Sequence, residues 1–143
     1  MQIDATDTRL LTLLRDNARA PVTELARALG LARTTVQARI ERLENSGVIA
    51  GYTLRASPVT RPILSATVLI SIEPRSAPAV LDRLRSLSGV NTVHTTSGRF
   101  DLLVQITADT TSELDATLDR IGEARGVHSS ESLIHLATKI DRA

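Results

Sequence analysis

The chain contains no cysteine among its 143 residues. Disulfide bonds, thiol nucleophiles, cysteine-ligated zinc and iron–sulfur clusters are therefore excluded. Long apolar runs are also missing, and the longest, ATVLISI at residues 66–72, is far too short to span a bilayer. The first residues, MQIDATDTR, are acidic and polar, whereas a signal peptide begins with basic and then apolar residues. We therefore expect a soluble, cytoplasmic protein.

Aromatic residues are scarce, with one Phe, one Tyr and no Trp. Hydrophobic residues still make up 42% of the chain, which is enough to bury a core in one domain or in two small ones. The net charge is only +1, so overall charge does not indicate a nucleic-acid partner. Any DNA binding has to come from where the arginines lie.

Apolar residues at helical spacing predict three short helices before residue 47. The first has a leucine-rich face and Asp4, Thr6 or Asp7 as its N-terminal cap. For the second we expect Thr23 as the cap and Gly30 as a left-handed C-terminal residue.

The third helix is predicted at residues 33–45, and VIAGYTL at residues 48–54 has a strand pattern. The stretch at 55–64 contains two prolines and polar residues, which are typical of a linker. The predicted domains are therefore residues 1–54 and 65–143.

The second domain alternates between strand and helix patterns in the order β-α-β-β-α-β. This order predicts an α+β, ferredoxin-like domain in which two helices cover one face of a four-stranded antiparallel sheet with strand order 4-1-3-2. The strands are expected at 65–73, 90–96, 100–109 and 129–140, and the helices at 77–88 and 111–126. Because Leu69 and Leu103 would lie on the uncovered face, we expect a second copy of the chain to cover it.

Other uses of this second domain have weaker support. RNA-binding domains of this topology stack bases on aromatic residues of the central strands, and these strands have none, so RNA binding is not expected. His94 belongs to one edge of the predicted sheet and His128 and His135 to the other, where their odd spacing points them to opposite faces. No metal or catalytic site is expected within one subunit, although a site shared between subunits stays open.

The segment ELARALGLARTTVQARIERL, residues 24–43, predicts a helix-turn-helix. Its second helix carries Val36, Ile40 and Leu43 on one stripe, so the opposite face is free to enter the major groove. A helical bundle whose charged face is merely solvated is the structural alternative.

The exposed face has short side chains in its middle and hydrogen-bonding side chains at its edges, which suits contact with bases. Arg33, at the positive N-terminus of the helix, can reach a base or a phosphate, and Arg42 is placed for a phosphate contact. For Arg39, near the core stripe, a salt bridge and a phosphate contact are equally open. The predicted DNA-binding residues are Arg33, Thr34, Thr35, Gln37, Ala38, Arg39 and Arg42.

Taken in order, these motifs resemble the leucine-responsive/asparagine regulator (Lrp/AsnC) family of bacterial and archaeal transcription factors. The resemblance covers essentially the whole chain. It rests on DTRLLTLL in the first helix, on ELARALGLARTTVQARIERLENSGVI with the GVIAGY that follows, on the β-α-β-β-α-β order and on the turn GRFD.

The resemblance implies a winged helix-turn-helix domain that binds double-stranded DNA and a second domain that senses an amino acid. It also implies homodimers formed through the second domain, assembly to octamers, and a nucleoid-associated regulator. One departure is Ala32, because the family usually has Ser or Thr just before the recognition helix. Loss of such a cap costs about 1 kcal/mol, and Thr34 is an alternative start for the helix.

In the resembling family the glycine turn lines the effector site at contacts between dimers. Backbone N–H groups of a turn can bind the carboxylate of an amino acid, and Asp101 can hold its ammonium group. Gly98 and Asp101 match the family pattern, whereas Phe100 stands where Tyr is usual and Arg99 where an acidic or small polar residue is frequent. The predicted effector-binding residues are Thr96, Ser97, Gly98, Arg99, Phe100 and Asp101.

Three hypotheses follow from the sequence. The first is a DNA-binding transcriptional regulator whose assembly responds to an amino acid, with no cofactor and no catalytic activity. The second is a constitutive architectural DNA-binding protein, in which the glycine turn is structural and Phe100 packs beside it. The third and weaker one is a small enzyme that uses the ferredoxin-like domain.

Overall fold

Two folded units make up the chain, Met1–Arg55 and Ala56–Ala143. The computed structural model describes residues 2–57 and 63–142. Residues 58–62 of the predicted linker lie outside the described ranges. The last residue of the predicted linker, Leu64, already belongs to a strand. Within the described ranges, no helix is long and apolar enough to cross a membrane.

The first unit contains the three predicted helices, which are confirmed as α1 (Ala5–Asp16), α2 (Val22–Leu29) and α3 (Arg33–Asn45). Gly30 ends α2 with φ +67°, a left-handed conformation that glycine adopts without strain. Apolar residues at helical spacing bury one stripe of each helix in a shared core. This core contains Leu10, Leu14, Leu25, Ala26, Leu29, Val36, Ile40 and Leu43.

The helix N-termini differ in how they are capped. The Asp4 carboxylate accepts the backbone N–H of Asp7 at 2.7 Å, and the Asp7 carboxylate accepts the N–H of Asp4 at 3.3 Å, which forms a capping box. The predicted cap of α2 is wrong, because Thr23 lies inside the helix and the extended Pro21 occupies the cap position. Pro21 has no side-chain donor or acceptor, but its carbonyl starts the helical bonds by accepting the N–H of Leu25 at 3.1 Å. Likewise α3 begins at Arg33 after Ala32, without a side-chain cap.

The strand predicted at residues 48–54 is not formed. The described residues from 46 to 57 contain no strand, and only the start of the segment, Val48 and Ile49, packs against the helical core. Tyr52 and Leu54 are 53% and 88% exposed. A strand is stabilised by pairing with a neighbour, and among the described residues no strand pairs with the segment.

The second unit is a four-stranded antiparallel sheet with two helices. Its strands are β1 (Leu64–Ile72), β2 (Val90–Thr95), β3 (Leu102–Ala108) and β4 (Val127–Ile134), and its helices are α4 (Ala77–Arg85) and α5 (Thr111–Gly122). The strand order β2-β3-β1-β4 confirms the predicted ferredoxin-like α+β topology.

Strands β4 and β3 have bounds that differ from the prediction by two or more residues. Strand β4 begins at Val127, because Val127 already pairs with Ile72 of β1, and it ends at Ile134 rather than near residue 140. Strand β3 begins at Leu102, so Phe100 and Asp101 belong to the preceding turn.

Alternate residues of the central strands face the helices, as predicted. Ala66, Val68 and Ile70 of β1 are each at most 1% exposed, and their cross-strand partners on β3 are buried beside them. Val80, Leu84, Leu114 and Ile121 from the two helices complete this core. The opposite face of the sheet receives no helix of the described chain, and it carries the partly exposed Leu69 and Leu103 and Leu133, which is 49% exposed.

Asp7 is the one charged or polar side chain that is buried among the described residues, with 0% exposure. Its carboxylate accepts hydrogen bonds from Arg39 Nη1 and Arg42 Nη2, both at 2.9 Å. Arg39 Nη1 also donates to the Asp4 carboxylate at 2.8 Å. These bonds join the start of α1 to the middle of α3.

We expect Asp7→Asn to destabilise the first unit, because two arginines would then face a buried group that carries no charge. Removal of one partner of a buried ion pair costs up to about 5 kcal/mol, and the partial exposure of both arginines reduces this to about 2 kcal/mol. Chemical unfolding measures the loss. Asp16→Asn, an exposed position on the same helix, is the control and should change stability by less than about 0.5 kcal/mol. Equal stability of the two variants would contradict the structural role of Asp7.

Candidate DNA-binding and effector-binding sites

Helix α3 presents an outward face opposite its buried stripe. Thr34, Thr35, Gln37 and Ala38 are all exposed, whereas Val36 lies in the core with 0% exposure. The Gln37 side chain donates to Glu41 Oε1 at 3.2 Å, so its amide is held along the helix by a single exposed bond. The methyl group of Ala38 adds little bulk in the middle of this face. The arrangement permits close approach of a hydrogen-bonding surface such as the base edges of a duplex.

The arginines of α3 have different environments. Arg39 is 23% exposed and is bonded to both Asp4 and Asp7, and these bonds raise the pKa of its guanidinium above the ordinary value. Arg42 is 50% exposed and is bonded to Asp7 through one nitrogen, which leaves its other donors accessible. Arg33 is exposed at the helix N-terminus. Of the two interpretations left open for Arg39, the geometry therefore favours the salt bridge.

The same network affects the carboxyl group of Asp4. The N–H of Asp7, followed by the Arg39 guanidinium, holds the pKa of Asp4 below its usual value. A lowered pKa in the folded state means that the interaction stabilises the fold above the ordinary pKa of aspartate. This contribution is lost as the pH falls through the lowered value. At neutral pH the Asp4 carboxylate is therefore charged, and its contribution to the fold is present.

The sequence patterns identified Asp4 and Asp7 only as helix caps and did not predict their bonds to the arginines of α3. The hydrophobic periodicity of α1 places Asp7 three residues before Leu10, on the buried stripe. A buried carboxylate at such a position requires a cation or hydrogen-bond donors as its partners. That spacing is the signal that could have identified the network.

The turn between β2 and β3, residues 96–101, is held by hydrogen bonds within itself and to the end of β1. Thr96 donates twice within the turn, from its N–H to the Asp101 carbonyl at 3.0 Å and from its hydroxyl to the Phe100 carbonyl at 2.6 Å. Asp101 donates its N–H to the Ile70 carbonyl at 2.8 Å, and its carboxylate accepts the N–H of Ile72 at 2.9 Å. The turn is thus fixed against the end of β1.

Several donors of this turn remain available. Among the described residues, the N–H groups of residues 97–100 have no acceptor. Gly98 has φ +114°, a conformation that other residues rarely adopt, although open space surrounds it. The Arg99 guanidinium lies 5.4 Å from the centroid of the partly buried Phe100 ring, within cation–π range. The turn therefore combines a cation with unused backbone donors, which suits an anionic group.

The three histidines lie apart, as predicted. His94 is on edge strand β2, whereas His128 is on β4, where its Nδ1 lies 3.2 Å from Glu73. His135 Nε2 lies 2.9 Å from the Thr67 hydroxyl on the uncovered face of the sheet. No group of metal-ligating side chains is found in the described ranges.

Comparison with known proteins agrees with both units. Residues 3–44 match the AsnC-type helix-turn-helix domain, and residues 65–143 match the Lrp/AsnC ligand binding domain. The HTH-type transcriptional regulator FL11 of Pyrococcus abyssi is 30% identical over 139 residues, which cover 96% of this chain and 92% of FL11.

Two solved structures share the fold along nearly the whole chain. E. coli AsnC has a TM-score of 0.87 at 26% identity and covers 100% of this chain and 98% of its own. The feast or famine regulatory protein from M. tuberculosis, complexed with L-methionine, has a TM-score of 0.81 at 30% identity, with 98% and 96% covered. The resemblance seen in the sequence is confirmed: the chain belongs to the Lrp/AsnC family of transcriptional regulators, with a DNA-binding helix-turn-helix domain and a ligand-binding domain.

Proposed function

We propose that α3 reads DNA sequence in the major groove and that the 96–101 turn binds an amino acid whose presence changes the assembly of the protein on DNA. The observation that carries the proposal is the outward face of α3, where exposed hydrogen-bonding side chains surround the small Ala38. Thr34, Thr35 and Gln37 are the proposed base-reading residues, since Gln in particular can bond an adenine edge in two places.

The arginines of α3 have separate proposed roles. Arg33 and Arg42 contact phosphates, which adds affinity for any sequence. Arg39, with both acidic partners, fixes the angle of α3 to α1 and adds little direct affinity. Arg42 combines the two roles, because Asp7 holds one of its nitrogens while half of its side chain faces solvent.

Thr35→Ala combined with Gln37→Ala should lower sequence selectivity and leave general DNA affinity nearly unchanged. Each lost pair of base contacts costs about 1–3 kcal/mol of discrimination, or about tenfold or more. The measurement is competition between a duplex selected from a random pool and an unrelated duplex. Thr12→Ala, an exposed threonine on α1, is the control. If the double variant keeps the selectivity of the wild type, α3 is not the helix that reads the bases.

Arg42→Ala should instead weaken binding to both duplexes, because a phosphate contact is lost. The slope of log affinity against log salt concentration should fall by about 1.

A homodimer formed through the uncovered face of the sheet is the second part of the proposal. Leu69 and Leu103 are directly paired across β1 and β3 on this face, and Leu133 of β4 lies diagonally beside Leu69 with 49% exposure. A contiguous apolar patch of this kind is most simply covered by the same patch of a second copy around a two-fold axis. The further assembly of dimers to an octamer rests on the family resemblance alone.

Leu103→Glu should dissociate this dimer, because a second copy would bring two carboxylates into an apolar interface. Sedimentation velocity measures the mass, and circular dichroism confirms that the variant is folded. Ala79→Glu introduces the same charge on the exposed surface of α4 and should leave the assembly unchanged. If the Leu103 variant sediments like the wild type, the subunits associate elsewhere.

The amino-acid effector is the third part of the proposal. The relative from M. tuberculosis was solved with L-methionine, and the turn of this chain offers the free N–H groups of residues 97–100 and the cation of Arg99. These donors suit the carboxylate end of an amino acid. Regulation then requires that the amino acid bind one assembly state more tightly than another.

At least one of the twenty amino acids should raise the melting temperature of the wild type. A ligand at a hundred times its Kd stabilises the folded state by about 2.7 kcal/mol. Arg99→Ala should reduce this shift, whereas Arg83→Ala, an exposed arginine on α4, should not. If no amino acid stabilises the wild type, the constitutive architectural alternative is favoured.

A further inference from the structure

The carboxylate of Asp101 points back toward β1. Asp101 Oδ2 accepts the backbone N–H of Ile72 at 2.9 Å, and the N–H of Asp101 donates to the Ile70 carbonyl at 2.8 Å. Between them, the Ser71 hydroxyl lies 3.4 Å from the Arg99 carbonyl. Asp101 thus bonds the backbone of β1 on both sides of Ser71.

These bonds coincide with the one irregularity in the pairing of β1 with β4. The register shifts between Ser71 and Ile72, after which Ile72 pairs with Val127 and Glu73 donates its N–H to the Gly126 carbonyl at 2.7 Å. Gly126 has φ +98°, and a Cβ at this position would lie 2.5 Å from that of Ser76, so only glycine fits. The Glu73 side chain also contacts His128 of β4. The regular pairing of β1 with β3 ends at Ile70 and Leu102, and the Asp101 carboxylate satisfies the N–H of Ile72 just beyond that end.

We propose that Asp101 is a positioning residue that connects the effector turn to the register shift between β1 and β4, rather than the direct ligand of the effector's ammonium group. The inference deepens the proposed function, on which it rests for the role of the turn. Because one carboxylate holds the turn and supplies the acceptor for Ile72, displacement of the turn changes the end of β1. Through Glu73, the change reaches Gly126 and His128 at the start of β4.

Amide hydrogen exchange of the protein without any ligand tests the connection. In Asp101→Ala the Ile72 amide loses its acceptor, and its exchange should become at least about tenfold faster. In Asp101→Asn the side-chain oxygen can still accept this N–H, and exchange should stay within about threefold of the wild type. The amides of Val127 and His128 should likewise exchange faster in Asp101→Ala and stay near the wild-type rate in Asp101→Asn. Asp115→Ala, on the exposed surface of α5, is the control. Unchanged Ile72 exchange in Asp101→Ala would overturn the proposal.

A second measurement separates positioning from direct binding, with L-methionine as the probe. If Asp101 positions the turn, Asp101→Asn keeps the L-methionine-induced shift in melting temperature and Asp101→Ala loses it. If Asp101→Asn keeps the slow exchange of the Ile72 amide but loses the L-methionine-induced shift in melting temperature, Asp101 binds the ammonium group directly. That result would overturn the proposal. If L-methionine does not shift the wild type, the proposed effector fails for this ligand, and the exchange rates alone decide the role of Asp101.

Discussion

The sheet of the second unit is covered on one face only, and much of the molecule follows from that constraint. Helices α4 and α5 bury Ala66, Val68 and Ile70 on the covered face, whereas Leu69 and Leu103 remain on the other. Exposed apolar side chains on such a face favour association with a second copy of the chain. Association through the sheet would leave the β2–β3 turn at its margin, where a small molecule could influence contacts between subunits.

In the first unit, the corresponding constraint is the buried carboxylate of Asp7. Leucine packing alone leaves the angle between two short helices loosely defined, because apolar contacts have little directional preference. Hydrogen bonds from Arg39 and Arg42 to one carboxylate fix direction as well as distance. The outward face of α3 is therefore held in a single orientation by groups that lie beneath it, which is a requirement for reading a fixed set of base edges.

Much of this fold could be predicted from the sequence, because leucine spacing defines the three helices and alternation defines the strands. The predictions that failed concern features that depend on a partner distant in sequence or on the backbone of a neighbouring residue. Residues 48–54 have a strand pattern but no strand to pair with, and Pro21 starts α2 before Thr23 can cap it. In the candidate sites, periodicity predicted the exposed face of α3. The bonds of Arg39 to Asp7 and of Asp101 to Ile72 join residues 32 and 29 positions apart, and local patterns contain no information about such bonds.

Helix α3 starts without a side-chain acceptor, since Ala32 occupies its cap position. The first N–H groups of a helix lack intrahelical partners, and a good cap is worth about 1 kcal/mol. No side chain caps α3, so these N–H groups are left to solvent at the exposed start of the helix. The start of α3 therefore contributes less to the stability of the first unit than a capped start would.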